Sequence, residues 1–117
     1  MSGATISCAA GGLPLAVVAS PLSVTVSGNT ASNTTPTTTA VASGGVPPYA
    51  YAWAITLPSG PRPITATAPT SATTAFTASL MGSGSTNFCN PVVTVTDSSS
   101  NTVNNAASPV YAEVDRV

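Results

Sequence analysis

The chain contains no histidine and no lysine, and only 4% of its 117 residues are charged, against roughly a quarter in ordinary domains. The five charges are Arg62, Asp97, Glu113, Asp115 and Arg116. These absences exclude whole classes of function. Without His or Lys there is no imidazole for a Ser-His-Asp or Cys-His pair and no amine for a Schiff base. A phosphate-binding loop of the Walker type would lack its lysine. Two cysteines, Cys8 and Cys89, cannot close a zinc site within one chain when no histidine joins them. Two arginines cannot neutralise the row of phosphates on which nucleic-acid affinity rests, so no nucleic-acid partner is expected. Long apolar runs are also missing. The stretch from Cys8 to Ala19 has no basic residues before it, is broken by Gly11, Gly12 and Pro14, and is too short to span a bilayer. Neither a signal sequence nor a membrane segment is therefore expected. The inventory predicts a protein that is not an enzyme and needs no cofactor or metal.

What remains is a chain rich in small and β-branched residues. Its apolar share is 43%, mostly Ala and Val, with aromatics at 5%. Ser and Thr together make up roughly three residues in ten, well above average usage. Val and Thr are stiff at χ1 and suit a pleated sheet. Eleven prolines and nine glycines punctuate the chain, as turns between short strands would. The length fits one domain with a single core.

Alternation supports strands throughout. Leu22-Ser-Val24-Thr-Val26 alternates apolar and hydroxyl residues and ends at Gly28-Asn29. A second strand is expected over Thr37 to Ser43, with either Ala40 and Ala42 or Thr39 and Val41 facing inward. After the loop Gly44-Gly45-Val46-Pro47-Pro48 comes Tyr49-Ala-Tyr51-Ala-Trp53-Ala-Ile55, large residues on one face and Ala on the other. Leu57 to Pro63 reads as a turn or edge crossing, Ile64 to Ala68 as a short strand, and Thr70 to Leu80 as a strand around Phe76. Phe88 to Thr96 is the next strand, with Pro91 marking a bulge or an edge position. Asp97-Ser-Ser-Ser-Asn101 is a hairpin loop, and Asn101 to Val114 a last strand region. The total is about seven strands, which predicts an all-β sandwich of the immunoglobulin type. Residues 1–20 lack a clear period and are expected to form an N-terminal arm or irregular first strand before the domain of residues 21–117.

Two groups of residues carry the sharper expectations. Tyr51 and Trp53, on one face with Ile55, are expected in the core with Val93 and Val95, although an exposed aromatic strand could stack on sugars. Asp97 is expected to cap its hairpin by accepting backbone N–H groups. A weak Ca²⁺ site with Asn101, or paired-carboxylate chemistry with Glu113 or Asp115, are the alternatives.

The run Ser43-Gly-Gly-Val-Pro-Pro-Tyr49-Ala-Tyr51-Ala-Trp53 resembles the B-to-C region of PKD-type immunoglobulin-like domains. Val93-Thr-Val-Thr-Asp97-Ser-Ser-Ser-Asn101 resembles their F strand and F–G turn. The two segments cover about a fifth of the chain and lie about forty residues apart. The resemblance implies a sandwich with Trp53 at its centre. Cys8 and Cys89 do not match the B–F disulfide of antibody domains, and the chain has less charge and a longer N-terminus than such modules.

These features lead to the expectation of a structural protein. A surface almost without charge and sheet edges without Lys have little to prevent pairing with another chain. Ile6, Leu13, Leu15, Val17 and Val18 make the N-terminal arm too apolar to be a solvated tail, so it is expected to pack on its own domain or on a neighbour. Since immunoglobulin-like domains of this kind occur on phage particles, the expected role is a bacteriophage virion surface component, a capsid decoration or tail- or fibre-associated protein. Its partners would be other virion subunits and further copies of itself. The alternative is an adhesion or carbohydrate-binding module of a bacterial secreted or surface protein.

Overall fold

A computed structural model describes residues 13–117. The described residues form eleven strands and no helix, hence none long and apolar enough to cross a membrane. Five strands make one sheet: β2 (Ser23–Gly28), β5 (Ala50–Ser59), β9 (Thr86–Thr96), β10 (Thr102–Asn104) and β11 (Tyr111–Arg116). A second sheet holds β1 (Ala16–Ser20), β4 (Thr38–Ser43) and β7 (Thr73–Thr74). The third holds β3 (Asn33–Thr34), β8 (Phe76–Ala78) and β6 (Thr65–Ala66). The two small sheets run on from one another through Thr35. Its N–H donates to the Phe76 carbonyl at 2.8 Å, and its hydroxyl accepts the Phe76 N–H at 3.0 Å. The body is all-β and compatible with a β-sandwich. The seven expected strands become eleven because Ala75 divides the strand expected over Thr70 to Leu80, the 105–110 loop divides the last strand region, and β1 and β3 are added to the set.

Strand β9 is the spine. Along one edge it pairs antiparallel with β5, from Ala50↔Thr96 to Ser59↔Phe88. Along the other it pairs with β11 at Thr86–Cys89 and with β10 at Thr94–Thr96. Period-two alternation sends Asn87, Cys89, Pro91, Val93 and Val95 inward, and all five are buried. Trp53, opposite Val93, meets them from β5. Its ring stands edge-on to Phe76 across the body, centroids 5.9 Å apart at 75°, and its indole N–H donates to the Ser71 carbonyl at 2.8 Å. A buried Trp with its one donor satisfied keeps its apolar gain without a desolvation loss. Tyr51 is half-buried against the same cluster. In β4 the alanines face inward, while Val41 is 52% exposed.

One expectation is corrected. Pro91 lies neither at an edge nor at a bulge. It is buried within the central strand, at the point where the neighbour of β9 changes from β11 to β10. A residue without an N–H is tolerated there because no strand opposite asks for one. Of the expected N-terminal arm or irregular first strand over residues 1–20, residues 13–20 are described. Ala16–Ser20 form a regular strand in five-residue register with β4, from Ala16↔Ser43 to Ser20↔Thr39. Adjacent Val17 and Val18 hide this strand from a periodicity reading, because one faces the core and its neighbour is 62% exposed.

The Gly44-Gly45 pair fits the fold at the turn after β4. Both have left-handed φ, +68° and +57°, and a Cβ on Gly44 would meet the Pro14 carbonyl.

Truncating the core at its centre, Trp53→Ala, should lower the unfolding free energy by about 3–5 kcal/mol. Urea denaturation with an unchanged slope is the measurement, and an unshifted midpoint would contradict a central position for this ring.

Candidate functional site

Asp97 follows β9 directly and its carboxylate reaches the loop at residues 44–48. Its carboxylate accepts from the backbone N–H groups of Val46 (3.0 Å), Ser99 (3.0 Å) and Asn101 (2.9 Å), and from the Asn101 side-chain amide (3.1 Å). The Asp97 N–H donates to the Asn101 carbonyl at 2.9 Å. Burial of the carboxyl works to raise its pKa. The donors from Asn101, Val46 and Ser99 outweigh it and hold the group below the ordinary carboxylate range. All four donors fill the lone pairs a cation would need. The arrangement therefore ties two loops together, and no cluster of three metal-ligating side chains occurs among the described residues.

The aromatic strand is turned to the interior. Trp53 is 7% exposed, and the Tyr49 hydroxyl donates to the Gly44 carbonyl at 2.7 Å. Val93 and Val95 are fully buried beside them. Of the arm residues, Leu15 and Val17 pack against the core, Leu13 and Val18 are largely exposed, and Ile6 lies outside the described residues, as does Cys8. Cys89 is a free, buried thiol whose pKa is pushed up to about 11 by desolvation, so it is a poor nucleophile.

The surface that stands out is the outer face of the β1–β4–β7 sheet. Val18 and Val41 lie directly opposite one another across β1 and β4, 62% and 52% exposed. Beside them the Thr39 and Thr73 hydroxyls hydrogen-bond at 2.9 Å. None of the five charged residues of the chain lies in these three strands. Next to this face, a groove of about 340 Å³ opens between β1 and the loop after β10, lined by Val17, Val18, Leu22, Asn105 and Ala107 among others. Asn105 is 7% exposed. Its Oδ1 accepts the Val93 N–H at 2.8 Å, while its Nδ2 has no partner among the described residues. Sequence reading missed Asn105, because an Asn in a turn-rich segment ordinarily signals only a turn.

A second exposed cluster lies on the opposite sheet. Phe88 and Tyr111 stack with centroids 6.1 Å apart, and the Tyr111 hydroxyl donates to Glu113 at 3.3 Å.

The chain matches no protein-family model, no curated protein and no solved structure.

A depressed carboxylate pKa gives a signed pH dependence. The contribution of Asp97 should be complete above its unfolded pKa of about 3.9 and should disappear as pH falls through the lower folded value. Asp97→Asn should flatten this acid limb of the melting-temperature profile, and Asp97→Ala should lower the melting temperature at pH 7. Added Ca²⁺ should leave the wild-type melting temperature unchanged, since a bound ion would raise it.

Proposed function

We propose that this protein is a non-enzymatic structural subunit, an immunoglobulin-like module that works by contact with other subunits, and that its setting is the surface of a bacteriophage particle. The observation that carries the proposal is the uncharged β1–β4–β7 face, with two valines exposed side by side. A sheet face or edge facing water is ordinarily guarded by lysines or other charges, and this one has only hydroxyls around its apolar pair. The immunoglobulin-like assignment is supported by the first strand region, which changes partners at Pro21. Before it β1 runs antiparallel to β4, and after it β2 runs parallel to β11. The phage setting draws on the resemblance of residues 43–53 and 93–101 to PKD-type domains.

The alternative, a carbohydrate-binding module, is favoured by one observation. The Phe88–Tyr111 pair presents aromatic surface beside the Glu113 carboxylate on the outer face of β9 and β11. Stacked rings share a face, which leaves less ring area for a sugar than two rings side by side.

The two readings separate by experiment. Val41→Asp on the full chain should leave the melting temperature nearly unchanged, because Val41 touches solvent. It should also abolish concentration-dependent mass in light scattering. Mass spectrometry of purified particles should find the wild-type chain and not the variant. A wild-type chain that is monomeric at every concentration and binds an immobilised glycan through Phe88 would support the alternative instead.

A further inference from the structure

The outer face of the five-stranded sheet holds the charge that the β1–β4–β7 sheet lacks. Alternation in β11 buries Ala112 and Val114 and turns Tyr111, Glu113 and Asp115 to the other side. Opposite Glu113 across the ladder stands Phe88 of β9, 37% exposed and stacked on Tyr111. On the other flank β2 places Ser23, Thr25 and Ser27 beside the three outward residues of β11. The one cation in the five strands is Arg116, which alternation sends inward, where its guanidinium donates to the carbonyl of buried Met81. Two carboxylates and two rings therefore share this face with hydroxyls and no positive charge.

Glu113 is not saturated as Asp97 is. Four donors fill the Asp97 carboxylate, whereas Glu113 accepts one long bond, from the Tyr111 hydroxyl at 3.3 Å, among the described residues. A carboxylate offers about four acceptor sites, so most of this one is unused by the fold. Burial, and after it the negative charges of Glu113 and Asp115, push the Tyr111 hydroxyl above the ordinary phenol range, so its ring stays neutral beside two anions. A negative field beside exposed ring surface is the combination that holds a guanidinium or an ammonium. Glu113 and Asp115 are two residues apart on one strand, about 7 Å along it, and an extended segment spaces its own alternate side chains by the same distance. This chain has no such segment to offer: it has no Lys, and its two arginines are Arg62 and Arg116.

We infer that the outer face of β9 and β11 docks an extended segment of a different protein that carries arginine or lysine at alternate positions, one cation against Glu113 and the Phe88 ring, the next against Asp115. The contact lies on a different sheet from the Val18–Val41 pair. It goes beyond the assembly reading and does not depend on it.

The test titrates the full-length chain with three peptides of equal length: Thr-Arg-Thr-Arg-Thr, its rearrangement Thr-Arg-Arg-Thr-Thr, and a neutral version with citrulline for arginine. Binding is followed by NMR at the Phe88 and Glu113 amides. The alternating peptide should shift both saturably, and more weakly as salt rises, because exposed ion pairs are screened. Glu113→Gln, which keeps an acceptor for the Tyr111 hydroxyl, should weaken binding about two- to fivefold. Phe88→Leu, which keeps apolar area without a ring face, should weaken it by a similar factor of about two to five. Val41→Asp should bind the alternating peptide as wild type does, which separates this contact from self-association. No saturable shift with the alternating peptide would overturn the inference. Equal binding of the rearranged or neutral peptide, or an unchanged affinity in Glu113→Gln, would do the same. Shifts of these signals with the concentration of the chain alone would assign the face to a second copy through Arg62, and shifts with a neutral oligosaccharide in place of the peptide would assign it to a glycan. Either result would overturn it.

Discussion

The structure depends on how the backbone of β9 is satisfied where its neighbour changes. One edge of this strand pairs with β5 from Phe88 to Thr96, but the other is shared by β11 at its start and β10 at its end. Between them a buried strand would leave polar groups without partners, at a cost comparable to a lost hydrogen bond for each. Three residues close the gap. Pro91 removes the need for a donor, Asn105 Oδ1 takes the Val93 N–H, and the Pro91 carbonyl accepts the Val110 N–H at 3.2 Å. The side-chain amide of Asn90 adds a bond to the Val110 carbonyl. With this seam closed, Val93 and Val95 can lie against Trp53 in a dry core.

The same economy governs the other buried polar groups. Asn87 is fully buried near the start of β9. It accepts from the Arg62 N–H at 2.8 Å and donates to the Val114 carbonyl at 3.1 Å, joining the loop after β5 to β11. Asp97 does the equivalent at the far end of β9 with four donors. The spine is thus fastened at both ends and in the middle by a short polar side chain. Amides and a single carboxylate replace the ion pairs that the composition does not supply. The interior is therefore specified by hydrogen-bond geometry, which tolerates substitution poorly.

The distribution of charge links this interior to the surface. Asp97 is used inside a loop, Arg116 donates to the Met81 carbonyl at 2.6 Å, and Glu113 accepts from Tyr111. Three of the five charges lie in β11, in the five-stranded sheet. The β1–β4–β7 sheet is left with Val, Ala, Ser and Thr, and no charge lies in its strands. Asn105 closes the seam of β9 through its Oδ1, while its Nδ2 is buried without a partner among the described residues.

Alternation makes much of this architecture legible in the residues alone. The inward set of β9 and the large face of Tyr49 to Ile55 follow from a period of two, because a pleated strand sends successive side chains to opposite faces. The hairpin role of Asp97 follows from the affinity of Asp for turn N–H groups, and the geometry shows donors where that reading places them. The extent of β1 does not follow, since its five pairs with β4 are backbone bonds indifferent to the side-chain sequence Ala-Val-Val-Ala-Ser. Nor does the orientation of β4, where Ala40 faces inward and Val41 outward. Trp53 and Phe76 already fill the space between the sheets, so small residues fit there. The sequence by itself determined the all-β class, the strand periods and the poverty of charge, all of which are local or additive properties. The tertiary structure alone decided which strand ends a sheet and which amide lacks a partner among the described residues, because a sheet edge or an unpaired donor is defined only by what the fold places beside it.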